Sequence, residues 1–159
     1  MQEPAAGIPE DPGPLARVIA GDEVVPAHVA RGGRVVDFHG WLLPVQYESI
    51  LSEYAQCRRA AALFDTSHMG QFLISGPRCG EILGQVTTQD PLALKIGQAK
   101  YGFLLDEQAG ILDDTILMRL ELEKYLLVVN AGPAHSDFDH LTSHLAGNVV
   151  IQERHVSHG

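Results

Sequence analysis

The chain has 159 residues, 45% of them hydrophobic, and a formal net charge of −9. That length and apolar content suit a folded domain with a core of its own, while the negative charge disfavours a general nucleic-acid or anionic-membrane binder. No apolar run nears the roughly 20 residues of a membrane span, and Met1-Gln2-Glu3-Pro4 lacks the basic and apolar regions of a secretory signal, so a cytoplasmic protein is expected.

Residues 1–14 hold four prolines and three acidic residues. A stretch of that composition buries too little apolar surface to offset its conformational entropy. Residues 1–22 are therefore predicted as a disordered extension and 23–159 as one folded domain. A short helix is expected over 24–29, ending before Gly32-Gly33, and Arg34–Phe38 reads as a strand. Gly40–Tyr47 reads as an irregular, partly buried segment with Trp41 as a core anchor. Ser49 is a fitting N-cap for a helix over 50–62, whose inward stripe would be Ile50, Tyr54, Cys57 and Ala61. Gln71–Ser75 follows as a strand. Pro77 then suits the first turn of a helix with Cys79, Ile82, Leu83 and Val86 on its apolar stripe. Cys57 and Cys79 show no metal-like spacing and are expected as buried free thiols.

Tyr101–Leu105 and Ile111–Met118 read as a hairpin around the polar turn Asp106–Gly110. After a second turn at Glu121-Leu122-Glu123, Lys124–Asn130 closes a meander. Pro133 opens a last helix through Leu145, with Phe138, Leu141 and Leu145 inward, and Val149–Ile151 begins a final strand. Strand–helix alternation followed by an antiparallel meander predicts an α+β fold, a mostly antiparallel sheet with packed helices.

The chemistry to explain is Asp113-Asp114, two carboxylates inside an apolar strand. Alternation sends them to opposite faces, Asp114 with Leu112, Ile116 and Met118, and Asp113 with Ile111, Thr115 and Leu117. A carboxylate on a half-buried face must be paired, protonated or matched to a ligand. The ordinary explanations are a solvated strand end or an aspartate satisfied by backbone N–H groups. His140 and His144 have the spacing of a two-histidine zinc site, with Asp137 on the same side, but Leu141 stands where a zinc-protease helix has glutamate. A solvated helix face and no metal are expected there. No phosphate-binding glycine loop and no G-x-S-x-G elbow occur, and Ser67-His68 is read as structural because adjacency alone does not make a triad.

Four stretches in order, Asp37-Phe38-His39-Gly40-Trp41-Leu42-Leu43-Pro44-Val45-Gln46-Tyr47, Leu63-Phe64-Asp65-Thr66-Ser67-His68-Met69-Gly70, Gly110-Ile111-Leu112-Asp113-Asp114 and Leu127-Val128-Val129-Asn130-Ala131, resemble the N-terminal part of the glycine-cleavage T protein family. These are tetrahydrofolate-dependent aminomethyltransferases, and the resemblance covers residues 24 to 151. It implies transfer of an aminomethyl group from the lipoyl arm of H protein to tetrahydrofolate, with release of ammonia and without metal. By resemblance Asp114 is the catalytic residue, and Met69, Leu73, Tyr101, Asp114, Ile116, Val128 and Asn130 contact the folate. The pairs Met69/Leu73, Asp114/Ile116 and Val128/Asn130 have even spacing, which places each on one face of its own strand. Three strands are thus expected to line one pterin-sized pocket, with Asp113 as the structural member of the doublet.

The sequence departs from the family at Met118, where tyrosine is frequent, at Ala109, where the turn has glycine, and at Gln89, where asparagine is common. The resemblance further implies that the family's C-terminal domains are absent from this chain. A split or truncated aminomethyltransferase with a partner supplying those domains is the first expectation. A non-catalytic folate-binding or partner-docking module is the second.

Overall fold

The computed structural model describes residues 24–38, 41–145 and 149–154. The extension predicted over residues 1–22 lies outside these. The chain divides into two compact units, Met1–Thr66 and Ser67–Gly159.

In the first unit, α1 (Val24–Ala30) closes at Gly32, whose φ of 79° is the left-handed value that ends helices. His28 on α1 ties the unit together, its Nδ1 2.6 Å from the Tyr47 hydroxyl and its Nε2 3.0 Å from Asp65 Oδ2. The segment expected to be irregular contains a strand. β1 (Val35–Phe38) pairs antiparallel with β2 (Trp41–Pro44), from Val35 opposite Pro44 to Phe38 opposite Trp41. Pro44 is tolerated because it ends its strand. Trp41 is half-buried in this ribbon rather than a core anchor.

α2 is Ile50–Arg59, three residues shorter than the predicted 50–62. Ser49 caps it as expected, accepting from the Ser52 N–H at 3.1 Å. Glu53 reaches back to the N–H groups of Tyr47 and Glu48 at 2.8 and 2.9 Å. The predicted inward stripe is not buried: no α2 residue is, and Cys57 is exposed, correcting the pair of buried thiols to Cys79 alone. Periodicity names an apolar face; it does not name a partner for that face.

The second unit is a five-stranded antiparallel sheet in the order β4-β5-β6-β3-β7, with β3 (Gly70–Ser75), β4 (Ala99–Leu105), β5 (Ile111–Glu121), β6 (Lys124–Val129) and β7 (Val150–Glu153). The meander forms as predicted. β3 then docks against β6, from Gly70 opposite Val129 to Ser75 opposite Lys124, and β7 becomes the outer strand beside β3. That pairing gives the final strand its place.

Two helices, α3 (Cys79–Val86) and α4 (Ala134–His144), contribute to the core on one face. Phe72, Ile74, Leu104, Leu117, Tyr125, Leu127 and Val129 meet Cys79, Leu83, Val86 and Leu141 there. Each such large side chain stabilises by about 1.5–3 kcal/mol through removal from water. The opposite sheet face carries the alternate, half-buried or exposed residues of the same strands. Where Arg119 leaves the sheet, its guanidinium donates to the carbonyls of Leu92, Leu94 and Leu122 at 3.1, 2.9 and 3.1 Å, pinning the 92–94 turn to the β5–β6 hairpin.

Candidate functional site

Alternation along β5 divides the doublet as the sequence requires. Asp113, Thr115 and Leu117 are buried, whereas Asp114 and Ile116 are exposed. Ile111 departs from this parity at 64% exposure. A register shift explains it: Leu104 faces Asp113 but Leu105 faces Ile111, so one residue of β5 bulges between them.

The open face is assembled by strand register. Tyr101 of β4 lies opposite Ile116, Ile116 opposite Val128, and Val128 opposite Gln71. The next row runs Met118, Leu126, Leu73 and Gln152. On the other side, Phe103 faces Asp114, Asn130 follows β6, and Met69 precedes the Gly70–Val129 pair. Leu73, Tyr101, Asp114, Ile116 and Val128 therefore share one face, with Met69 and Asn130 just beyond the ends of β3 and β6. That face spans four strands, β4-β5-β6-β3, or three inter-strand spacings of about 4.8 Å each. Tyr101 is 58% exposed and Ile116 43%, so these side chains form an open apolar surface. Gln71, Phe103, Met118 and Leu126 share it. Gln71 is not among the residues named from the sequence, although strand parity between Met69 and Leu73 is a signal that points to it; the row through β4 and β5 needs the register.

β5 overhangs the end of β6, because their pairing starts at Ile116–Val128. The doublet projects into that overhang, and Asn130 fills it. Its backbone N–H donates to Asp113 Oδ2 at 2.8 Å, and its Nδ2 donates to Asp113 Oδ1 at 2.8 Å. The same nitrogen reaches Asp114 Oδ1 at 2.8 Å and the Asp114 carbonyl at 3.1 Å. Surrounded by acceptors only, this atom of the carboxamide must be the nitrogen. Asn130 thus links the buried carboxylate to the exposed one. Partial loss of water, then the charge of Asp114 and a hydrogen bond to it, then the charge of Asp113, raise the Tyr101 phenol above its ordinary pKa. Tyr101 stays a neutral donor beside Asp114.

Asp137 departs most from expectation. The sequence places it with His140 and His144 on a helix face expected to be solvated, yet it is 1% exposed beneath the doublet. Burial first, then the charge of Asp113 and a hydrogen bond with it, push its carboxyl up to about 7. The two histidines are half-buried, and their ring nitrogens face backbone carbonyls: Nε2 of His140 lies 2.9 Å from the Leu105 oxygen and Nδ1 of His144 2.8 Å from that of His140. Among the described residues no group of three or more His, Cys, Asp or Glu side chains is placed to hold a metal ion.

An antiparallel sheet with helices on one face, and one carboxylate with its amide partner on an apolar open face, defines an α+β domain. The family model described as the GCVT N-terminal domain matches residues 24–158. An aminomethyltransferase from Chlorobium luteolum is 44% identical over 133 residues, 83% of this chain and 36% of that protein. One from Thermus thermophilus is 47% identical over 115 residues, 72% and 33% of the two chains. The crystal structure of the glycine cleavage system aminomethyltransferase T from Bartonella henselae superposes with a TM-score of 0.77 at 38% identity, covering 81% of this chain and 36% of that one. The chain belongs to the GCVT N-terminal domain family. It spans about a third of the length of the curated relatives it matches.

Proposed function

We propose that this chain carries a tetrahydrofolate site of an aminomethyltransferase of the glycine-cleavage type, with Asp114 as its catalytic carboxylate. In the overall reaction, aminomethyl-lipoyl H protein and tetrahydrofolate give methylenetetrahydrofolate, ammonia and dihydrolipoyl H protein. The observation that carries this reading is Asp114, projecting from an apolar sheet face with one oxygen held by Asn130. The face suits the ligand: apolar side chains for a flat ring, and a carboxylate acceptor for ring-system N–H groups.

Tetrahydrofolate supplies the amine nitrogens that accept the one-carbon unit. Leu73, Tyr101, Ile116 and Val128 pack against its rings, and Met69 borders them at the β3 end. Asp114 accepts a hydrogen bond near N10 and opposes positive charge that develops on the transferred carbon. Its effect grows when ligand and partner displace water, because the same charges then interact through a lower dielectric. Lipoylated H protein delivers the aminomethyl group.

Saturating tetrahydrofolate is expected to raise the melting temperature of the chain; ligand at 100 times Kd stabilises by about 2.7 kcal/mol. No shift, with a full-length homologue responding in parallel, removes the folate site. Asp114→Asn keeps the shape and removes the charge. With H protein and the complementing domains present, this variant is expected to lose about 100-fold or more in turnover. Wild-type turnover in Asp114→Asn refutes the catalytic role, and folate binding without any turnover favours a non-catalytic folate-binding or partner-docking module.

A further inference from the structure

Asp137 lies in the first turn of α4, its N–H bonded to the Pro133 carbonyl at 2.9 Å. An acidic residue there ordinarily faces solvent and the helix dipole. This one points into the sheet and is more deeply buried than Asp113, at 1% against 7% exposure. Its Oδ2 is buried without a donor facing it among the described residues. What Asp137 does meet is the carboxyl of Asp113, with which it hydrogen-bonds. Two ionised carboxylates have no hydrogen to share, so that bond requires a proton. Both carboxylate oxygens of Asp113 already accept N–H bonds from Asn130, whereas no donor among the described residues faces Asp137 Oδ2. The proton therefore belongs to Asp137.

We propose that Asp137 is a positioning residue: its protonated carboxyl donates to Asp113, which fixes the Asn130 carboxamide, and Asn130 in turn orients Asp114. The inference rests on the folate reading for its consequence, but the network itself does not depend on that reading. Without the donor from Asp137, Asp113 is held by Asn130 alone, and the carboxamide loses the fixed partner that sets its orientation. The charged group acting on Asp137 is Asp113 from β5. Asp114 lies on the far face of that strand, His140 one turn along α4 is turned to the Leu105 carbonyl, and the His135–Asp139 pair of α4 is exposed to solvent.

The test uses isotope-labelled full chain, observed by NMR at the aspartate carboxyl carbons and the Asn130 side-chain amide. Asp137→Asn keeps a donor toward Asp113; Asp137→Leu removes it. In the wild-type chain the Asp137 carboxyl is expected to titrate well above the ordinary carboxylate range, with the two Asn130 amide protons distinct and slow to exchange. Asp137→Asn should preserve those amide signals and keep tetrahydrofolate affinity within about threefold. Asp137→Leu should move them to solvent-like values and weaken affinity about tenfold, the loss of one charge-assisted hydrogen bond. Ordinary titration of Asp137, or unmoved Asn130 signals in a folded Asp137→Leu chain, overturns the proposal. If Asp137→Leu does not fold, the wild-type titration decides. A wild-type chain that ignores tetrahydrofolate counts against the folate reading, while the amide and carboxyl signals still decide the role of Asp137.

Discussion

At the scale of single residues, the doublet separates stability from chemistry. Asp113 is buried and receives two N–H bonds from Asn130; Asp114 receives one and remains exposed. Asn130→Ala removes the carboxamide, leaving only the backbone N–H on a buried carboxylate. It is expected to destabilise the chain by about 2 kcal/mol in chemical denaturation, a value typical of a buried charged group deprived of a partner. Asp114→Asn should stay within about 0.5 kcal/mol of wild type in the same experiment, as exposed substitutions do. Equal destabilisation by the two variants contradicts this division. Parity predicted which aspartate faced which way, because side-chain direction along a strand is local geometry. The Asn130 bridge was not legible, since it depends on where β6 stops relative to β5.

At the scale of elements, the hairpin turn shows sequence and structure in mild conflict. Asp106 organises it, its carboxylate accepting from the N–H groups of Gln108 and Gly110 at 2.9 and 2.6 Å. Ala109 then takes φ 63°, a left-handed conformation in which a Cβ costs about 1 kcal/mol. Ala109→Gly relieves that strain and is expected to raise stability by up to about 1 kcal/mol, less the extra entropy of glycine in the unfolded chain. A lower melting temperature in this variant shows that the turn is not strained. Gly102 on β4 is the opposite case. A Cβ there would come within 2.5 Å of Gln89 Cδ and 2.6 Å of Thr88 Oγ1, the groups that cover this strand. Gly102→Ala should destabilise by about 1–3 kcal/mol as an overpacking change.

At the scale of the whole molecule, the Asp137–Asp113 pair links folding to pH. The folded state raises the Asp137 pKa to about 7 from an ordinary 3.8. Between those values the folded chain binds more proton than the unfolded one, so stability falls as pH rises through this window and levels above it. The Asp137 contribution is thus fully present below the unfolded pKa and is lost as pH rises through the folded value of about 7. The drop is of the order of a few kcal/mol. Denaturation midpoints measured between pH 4 and 8 should fall more steeply for wild type than for Asp137→Asn. Parallel profiles show that Asp137 does not hold its proton on folding.

The sequence by itself determined the α+β class, the hairpin, the helix caps at Ser49 and Gly32, and the opposite faces of Asp113 and Asp114. Each of these follows from short-range geometry: turn chemistry, capping, and the two-residue period of a strand. Tertiary structure decided the rest. α2 shows the helical period but buries none of its residues, because burial requires a partner surface that periodicity does not specify. β7 finds its place only by pairing with β3, far away in the chain. Asp137 looks like a solvent-facing acid in a histidine-rich helix until α4 docks on the sheet and sets it against Asp113. That contact joins residues from different elements, and its proton exists only because packing has removed the water that would otherwise keep both carboxylates charged.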